Sequence, residues 1–365
     1  MTAAAPRIRR IDALRQLLQR DELRASMALS PQPTLLMSAL AGLQAGAAMA
    51  IALPLAHLSP WPHLIGYAAL GAIVALFGRF EPGRSRHRVV ALCALTQTLA
   101  VLAMSLVAWA GAPDALRLGL LALSCGLFFL VSVSGRFGPP GALIFVFAAG
   151  AAMQDADSLR VVIERTQATG LAATLAWALC LASDGLRRRL APDTLPQEPL
   201  QPLSERLRAA LRIAAGAGLA IFASRALGAS FPAWAGMGAL TVMQGAHLRI
   251  SLHRAVQRMA GTLVGTFIAF AILIQEPGLW VILPLLVLLQ FATELIIGAN
   301  YGLGQVLVTP MALLMTHLAA PHVPAALMAP ERVIDTMLGA AIGLVAAVVM
   351  SSARARQDLA RRQPA

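Results

Sequence analysis

The 365-residue chain contains no lysine, and only 13% of its residues are charged. Because a Walker A loop needs a lysine to hold the nucleotide phosphates, the sequence excludes an ATP-hydrolysing motor of that kind. Hydrophobic residues make up 58% of the chain, and the mean hydropathy is +0.72. Composition of this kind lies outside the range of water-soluble domains and predicts an integral membrane protein.

Cysteine is scarce as well, and its positions suggest no covalent or metal chemistry. Cys93, Cys125 and Cys180 lie in separate apolar runs, so neither a disulfide nor a metal site is expected. The sequence shows no Ser, His and Asp grouping, and we predict no catalytic residue, no cofactor and no enzymatic activity. The net charge of +12 comes from arginines scattered between apolar runs, so nucleic acid is not an expected partner.

Apolar runs bounded by charge, proline or glycine predict twelve membrane-spanning helices of about 20 residues each. The expected fold is an all-α membrane protein with two parallel-oriented six-helix halves. The first half covers residues 34–189 and the second covers residues 206–352, with a proline-rich linker at 190–205 and basic segments at 1–33 and 353–365. The expected spans lie near 34–56, 62–78, 89–110, 116–134, 139–153, 161–183, 212–230, 233–248, 255–274, 279–298, 302–319 and 333–351.

The arginines predict the orientation of these spans. Positive charge near span ends is retained in the cytoplasm. With twelve spans and a cytoplasmic N-terminus, 24 of the 29 arginines fall on the cytoplasmic side. We therefore expect a multi-pass protein of the bacterial inner membrane with both termini and the linker in the cytoplasm.

A shift of 167 residues aligns two separated parts of the halves. Tyr67, Gly71 and Ala72 fall on Trp234, Gly238 and Ala239, and Glu164-Arg165 falls on Glu331-Arg332. Two matches at one shift predict an internal repeat. Because each half has an even number of expected spans, the halves should be related by an axis along the membrane normal.

The second half carries the stretch 234–242 (WAGMGALTV) and the stretch 253–266 (HRAVQRMAGTLVGT), in which Arg258, Gly261, Thr262 and Gly265 form an R-x-x-G-T-x-x-G pattern. Together with 300–310 and 331–343 (ERVIDTMLGAAIG), these stretches resemble the fusaric acid resistance protein-like family, also called the aromatic acid exporters. The resemblance implies export of small organic anions such as aromatic carboxylates, in some members with a periplasmic adaptor protein. The first half departs from the pattern, since Ala91 stands where the second half has Arg258.

Polar residues inside the expected spans are candidates for a transport pathway, because charge within the bilayer is costly unless it is paired or faces water. Asp335 and Arg332 lie three residues apart and could pair on one helix face. Arg258 could face a cavity or extend to the headgroups. The five pathway candidates are Arg225, Arg258, Glu294, Arg332 and Asp335.

Glycines four residues apart predict close packing of helices in lipid. The proposed packing motif consists of Gly261, Thr262, Gly265, Gly339 and Gly343.

The function predicted from the sequence is export of small organic anions, driven by the proton gradient. The expected partners are the anion, the lipid bilayer and, through the resemblance, an adaptor protein. Two other functions fit the same residues: a passive anion channel, and a structural membrane subunit that transports nothing.

Overall fold

The computed structural model describes residues 10–11, 19, 35–81, 83–190, 199–245, 247–320 and 323–351. Most of the two basic terminal segments and the middle of the proline-rich linker lie outside these residues. From residue 35 onward the described residues form thirteen α-helices and two short 3-10 segments, and no strand occurs in these ranges. The all-α expectation is therefore confirmed.

The first half contains seven helices. Their bounds are α1 (Leu35–Leu58), α2 (Ile65–Ala72), α3 (Gly83–Trp109), α4 (Asp114–Ser134), α5 (Leu143–Ala151), α6 (Leu159–Ala182) and the polar α7 (Asp184–Leu190). The 3-10 segments Pro62–Leu64 and Ile73–Leu76 extend α2 at its two ends. Six of these seven helices overlap in sequence with the first six expected spans, and α7 is the additional one.

The second half contains six helices. Their bounds are α8 (Leu203–Ala226), α9 (Ala233–Met243), α10 (Leu248–Leu273), α11 (Leu279–Ile296), α12 (Tyr301–Ala319) and α13 (Ala325–Val349). Helix α8 begins inside the segment expected to be linker, directly after Pro202, whose φ of −51° suits a helix start. Backbone hydrogen bonding carries α8, α10 and α13 beyond their apolar runs, so these helices begin seven to nine residues before the expected spans.

Eight of the described helices are long and apolar enough to cross a membrane: α1, α3, α4, α8, α10, α11, α12 and α13. Helix α6 has the length, but its first turns carry Arg160, Glu164 and Arg165. Helix α9 and the segment Pro62–Leu76 are apolar but shorter. Helix α5 has only nine residues because the run Gly138-Pro139-Pro140-Gly141 precedes it and cannot continue a helix.

The two halves contact each other through a matching set of helix pairs. Within the halves, α2 packs on α6 and α9 packs on α13, while α3 packs on α6 and α10 on α13. Between the halves, α4 packs on α8 and α11 packs on α1. The interior consists mainly of small side chains, whereas large apolar side chains such as Leu171 and Phe267 are exposed on the outside, as expected for a surface in contact with lipid.

Glycine permits the close approach of the short helices to their long neighbours. A Cβ atom at Gly71 of α2 would lie 2.3 Å from the carbonyl oxygen of Thr169 in α6. A Cβ atom at Gly238 of α9 would lie 3.1 Å from the backbone nitrogen of Ala340 in α13. The two helix pairs therefore meet at backbone distance at positions that the 167-residue shift relates.

Candidate functional site

The main cavity has a volume of about 1040 Å³ and is lined by residues from both halves. Its described lining includes one carboxylate, Glu294, and five arginines: Arg79, Arg136, Arg254, Arg258 and Arg332. We use "basic end" for the end of the helix bundle where Arg79, Arg136 and Arg254 lie, and "far end" for the opposite one. The balance of charge makes the cavity attractive to anions.

Arg79 and Glu294 form an ion pair across the two halves. Arg79 Nη1 lies 2.5 Å from Glu294 Oε2, and both side chains are buried. Gln290 Nε2 donates to Glu294 Oε1 at 3.2 Å. Glu294, the one carboxylate of the described lining, is paired with Arg79, so the described cavity wall offers no further carboxylate to Arg258 and Arg332.

The loop that carries Arg79 is held by the polar helix α7. Arg187 donates to the carbonyl oxygens of Arg79 and Glu81, at 3.0 Å and 2.6 Å. Burial disfavours the ionised form of Asp184, but Arg188, His87 and Arg187 outweigh it, and the pKa of this carboxyl lies below its ordinary value. Asp184 therefore stays charged beside Arg187 and keeps the loop in place.

Arg332 is the most enclosed arginine of the cavity. Its side chain is 2% exposed, and its Nε and Nη1 have no hydrogen-bond acceptor among the described residues. The guanidinium lies 5.1 Å from the centre of the Trp234 ring, close enough for a cation–π contact. The expected pairing with Asp335 is not formed, because Asp335 faces α8 instead and its Oδ1 accepts from Ser224 Oγ at 2.7 Å.

Arg258 lies in the same cavity on α10. It is 3% exposed, and its Nη1 donates to Tyr301 Oη at 3.1 Å. No acceptor for its Nε exists in the part of the chain that the structure describes. Of its two possible positions, at the headgroups or in a cavity, the structure thus shows the second. Arg258, Arg332 and Tyr301 line this part of the main cavity, whereas Trp234, which contacts Arg332, lies on the wall of a second, smaller cavity.

The glycines after Arg258 determine how α12 packs on α10. A Cβ atom at Gly261 would lie 2.4 Å from the carbonyl oxygen of Gly302, and one at Gly265 would lie 2.7 Å from that of Val306. Thr262 is buried beside them. In α13, Cβ atoms at Gly339 and Gly343 would meet the backbone of α9 at 2.0 Å and 2.8 Å. The structure places all five motif residues inside the protein, the glycines at these helix contacts.

Replacing Gly261 with alanine should destabilise the protein, because the new methyl group would push α12 away from α10 and separate Tyr301 from Arg258. We expect a loss of about 1–3 kcal/mol, the usual cost of an overpacked contact. The measurement is thermal unfolding in detergent. Gly119→Ala in α4 is the matched control, since a Cβ atom there meets nothing within 4 Å and alanine is the better helix former. Equal loss in both variants would contradict the packing role.

Arg225 lies outside the main cavity. Its Nε is 2.7 Å from Asp114 Oδ2, and both side chains are about half exposed at the far end. Asp114 and Arg225 line a second cavity of about 290 Å³. The structure thus brings Arg258, Glu294 and Arg332 together, places Arg225 in the smaller cavity and leaves Asp335 in the contact of α13 with α8.

Three residues of the site were not among the sequence candidates. Arg79 directly follows the expected span 62–78 and so falls outside it, and Trp234 and Tyr301 are only parts of stretches that resemble a family. The shift of 167 residues offered a signal for Trp234: the matching residue Tyr67 holds Arg165 in the same way, with the guanidinium 5.6 Å from the ring centre. No comparable signal marks Arg79, because its partner Glu294 is far away in sequence.

Comparisons with known proteins agree with a membrane protein. The family model of the fusaric acid resistance protein-like proteins matches residues 219–346, which confirms the resemblance predicted from the second-half motifs. The uncharacterized membrane protein YvaC of Bacillus subtilis (strain 168) is 34% identical over 117 residues, which are 32% of this chain and 18% of that protein. The aligned part thus spans less than a fifth of that relative. No solved structure matches the chain.

Proposed function

We propose that this multi-pass membrane protein exports small organic anions, aromatic carboxylates among them, from the bacterial cytoplasm, and that the main cavity is where the anion binds. The observation that carries the proposal is Arg332. A buried arginine in a membrane protein costs several kcal/mol unless something compensates it. Arg332 has no carboxylate within ion-pair distance among the described residues, and an organic anion in the cavity would supply that charge.

The neighbours of Arg332 favour a carboxylate attached to a ring. A guanidinium can donate two parallel hydrogen bonds to a carboxylate, and Arg258 brings a second positive charge into the same cavity. Tyr301 lines the cavity beside Arg258 and offers aromatic surface to a bound ring, and Trp234 holds the Arg332 guanidinium from outside the cavity. A cation would meet an excess of arginine here, so the lining also selects against positively charged substrates. The family match over this half supports the same substrate class.

The arrangement in the membrane is part of the proposal. We infer twelve spans, with α2, α5 and α9 as short ones, and two halves related by an axis along the membrane normal. The matching helix pairs and the matching stacks of Arg165 on Tyr67 and Arg332 on Trp234 support the repeat. The distribution of arginines supports a cytoplasmic basic end, with the termini and the linker on that side.

Glu294 supports coupling of export to protons, because it is a buried carboxylate in the cavity wall that pairs with an arginine of the other half. A coupled exporter can move its substrate uphill, whereas the alternative, a passive anion channel, dissipates any gradient. We also propose that an adaptor protein binds at the far end, because the family resemblance implies one.

Transport by the purified protein in liposomes tests the proposed function. We expect saturable flux of labelled hydroxybenzoate, no flux of a lipid-impermeant cationic dye, and accumulation of the carboxylate when a pH gradient is imposed. Flux that only dissipates the gradient would favour the channel. Transport of the dye without the carboxylate would refute the anion site, and the absence of any flux from folded protein would favour the structural subunit.

A further inference from the structure

The two cavities share part of their lining. Phe147 of α5 and Met315 of α12 line both the main cavity and the smaller one. Phe147 is half-buried and Met315 is 3% exposed. Both side chains are apolar and large. At these two positions the cavities are therefore separated by a thin hydrophobic partition.

The partition takes one residue from each half. The shift of 167 residues relates Phe147 to Leu314, the residue directly before Met315. The two residues therefore occupy neighbouring positions on helices that correspond in the two halves. A partition on the axis between two repeats would have this composition, and a pathway on that axis would pass through it.

Arg332 and Trp234 connect the anion site to the partition. Arg332 lines the main cavity, while Trp234, on which its guanidinium stacks, lines the smaller one. Phe231 stacks on Trp234 from the smaller cavity, with ring centres 4.7 Å apart. An anion bound at Arg332 is thus already at the wall that separates it from the far end.

Small residues of the two halves meet at the far end. A Cβ atom at Gly66 of α2 would lie 2.4 Å from Cβ of Ala319 in α12, and one at Gly150 of α5 would lie 2.6 Å from Cβ of Ala233 in α9. Each of these contacts joins the two halves beside the smaller cavity. Contacts between such small residues can separate without breaking a buried ion pair. The Arg225–Asp114 pair also joins the halves here, but it is about half exposed, whereas the Arg79–Glu294 pair near the basic end is buried.

We propose that Phe147 and Met315 form the outer gate of the pathway, and that the smaller cavity is the vestibule through which the anion leaves. This inference rests on the proposed function for the direction of transport. The gate is closed in the structure, and the main cavity is the substrate site behind it. Arg117 and Arg225 line the vestibule, where each forms an ion pair, with Asp155 and Asp114 respectively.

Thiol labelling in spheroplasts tests the gate. Ser230→Cys reports on the vestibule, since Ser230 is exposed there, and Val308→Cys reports on the main cavity, which Val308 of α12 lines without contributing charge. The native Cys93, Cys125 and Cys180 are buried and provide a low background. An impermeant anionic thiol reagent added outside should modify Ser230→Cys and leave Val308→Cys unmodified.

Removing the gate should expose the main cavity. We expect Phe147→Ala and Met315→Ala, each made separately, to raise the labelling rate of Val308→Cys from outside at least tenfold. Phe129→Ala is the matched control, because Phe129 lines only the main cavity. Size-exclusion chromatography and thermal unfolding establish that each variant is folded. If one of the two gate variants does not fold, the other still tests the gate.

Three outcomes would overturn the gate: labelling of Val308→Cys without a gate substitution, no increase in either folded gate variant, or an equal increase in Phe129→Ala. Labelling of Ser230→Cys only from the cytoplasmic side would reverse the direction and overturn the exit role. The labelling result does not depend on which molecule is transported. If the gate variants increase labelling but the protein transports no hydroxybenzoate, the proposed substrate is refuted and the gate is still supported.

Discussion

Replacing Arg332 with methionine should abolish organic-anion transport while leaving the protein as stable as wild type. The substitution removes the buried guanidinium that we assign to the carboxylate. Losing one partner of a buried charge pair costs about 2–5 kcal/mol, so substrate binding should weaken by about 30-fold to a few thousand-fold. In the fold, Arg332 Nε and Nη1 bond to no described residue, and the loss of its stack on Trp234 is offset by removal of a buried charge that forms no ion pair with a described residue.

Arg165→Met is the matched control for this prediction, because the 167-residue shift relates Arg165 to Arg332 and both stack on an aromatic ring. Their hydrogen bonding differs. Arg165 donates to the carbonyl oxygens of Gln154 and Asp155, each at 2.9 Å. Removing two hydrogen bonds of a charged group should cost about 3 kcal/mol of stability or more, while the folded fraction continues to transport.

Liposome flux and thermal unfolding of the same preparations measure both variants. We expect opposite results for the two variants. Arg332→Met should lose transport and keep its stability, whereas Arg165→Met should lose stability and keep transport. If both variants lose stability and transport in proportion, Arg332 is a structural residue like its counterpart, and the anion must bind elsewhere. The pair also tests whether the chain has one anion site, since Ala91 stands where the second half has Arg258.

The sequence predicted the helices and the family well, because both depend on local features. Apolar runs of about 20 residues are visible without knowledge of their neighbours. The motif around Arg258 led to the family that matches residues 219–346. Helix ends were predicted less well, since α8 and α10 continue through polar residues that a hydropathy pattern assigns to loops.

The sequence did not predict which side chains contact each other. Arg332 and Asp335 are three residues apart on α13, and spacing alone permits a pair. The structure turns one into the main cavity and the other toward Ser224, because α8 packs against α13 on that side. Helices buried on several sides lack a single polar face, so the pattern of residues does not indicate which neighbour each side chain meets.

The same limit applies to Arg225, whose partner Asp114 lies on α4 of the other half. Only the packing of α4 on α8 brings these two residues together. The residues aligned by the 167-residue shift are a clearer case. The shift relates Tyr67 to Trp234 and Arg165 to Arg332, and the structure shows the guanidinium over the ring in both pairs.

Glu294→Gln should destabilise the protein and stop uphill transport. The carboxylate is 3% exposed and pairs with Arg79 at 2.5 Å, so the amide would leave Arg79 buried without its counter-charge. Breaking a buried ion pair by removing one partner costs about 3–5 kcal/mol. The pair also links the first half, through the segment after Ile73–Leu76, to α11 of the second half, so its loss should loosen the contact between the halves near the basic end.

The double variant Arg79→Gln/Glu294→Gln distinguishes the stability lost with the ion pair from the stability lost by leaving Arg79 buried without a counter-charge. Two neutral amides can hydrogen-bond to each other, and Gln290 remains beside them. We therefore expect the double variant to regain most of the stability lost in Glu294→Gln, which gives a coupling energy of about 1–3 kcal/mol in the double-mutant cycle. Additive losses in the cycle would mean that Arg79 and Glu294 do not stabilise each other.

Transport by the same variants discriminates the exporter from the channel. If protons reach the cavity through Glu294, both variants lose accumulation of hydroxybenzoate driven by a pH gradient, including the double variant whose stability is restored. Downhill flux should persist in both, because Arg258 and Arg332 are unchanged. Accumulation that survives in the stable double variant would remove Glu294 from the coupling mechanism, and wild-type protein that never accumulates the anion would identify a passive channel in which this ion pair serves only to join the two halves.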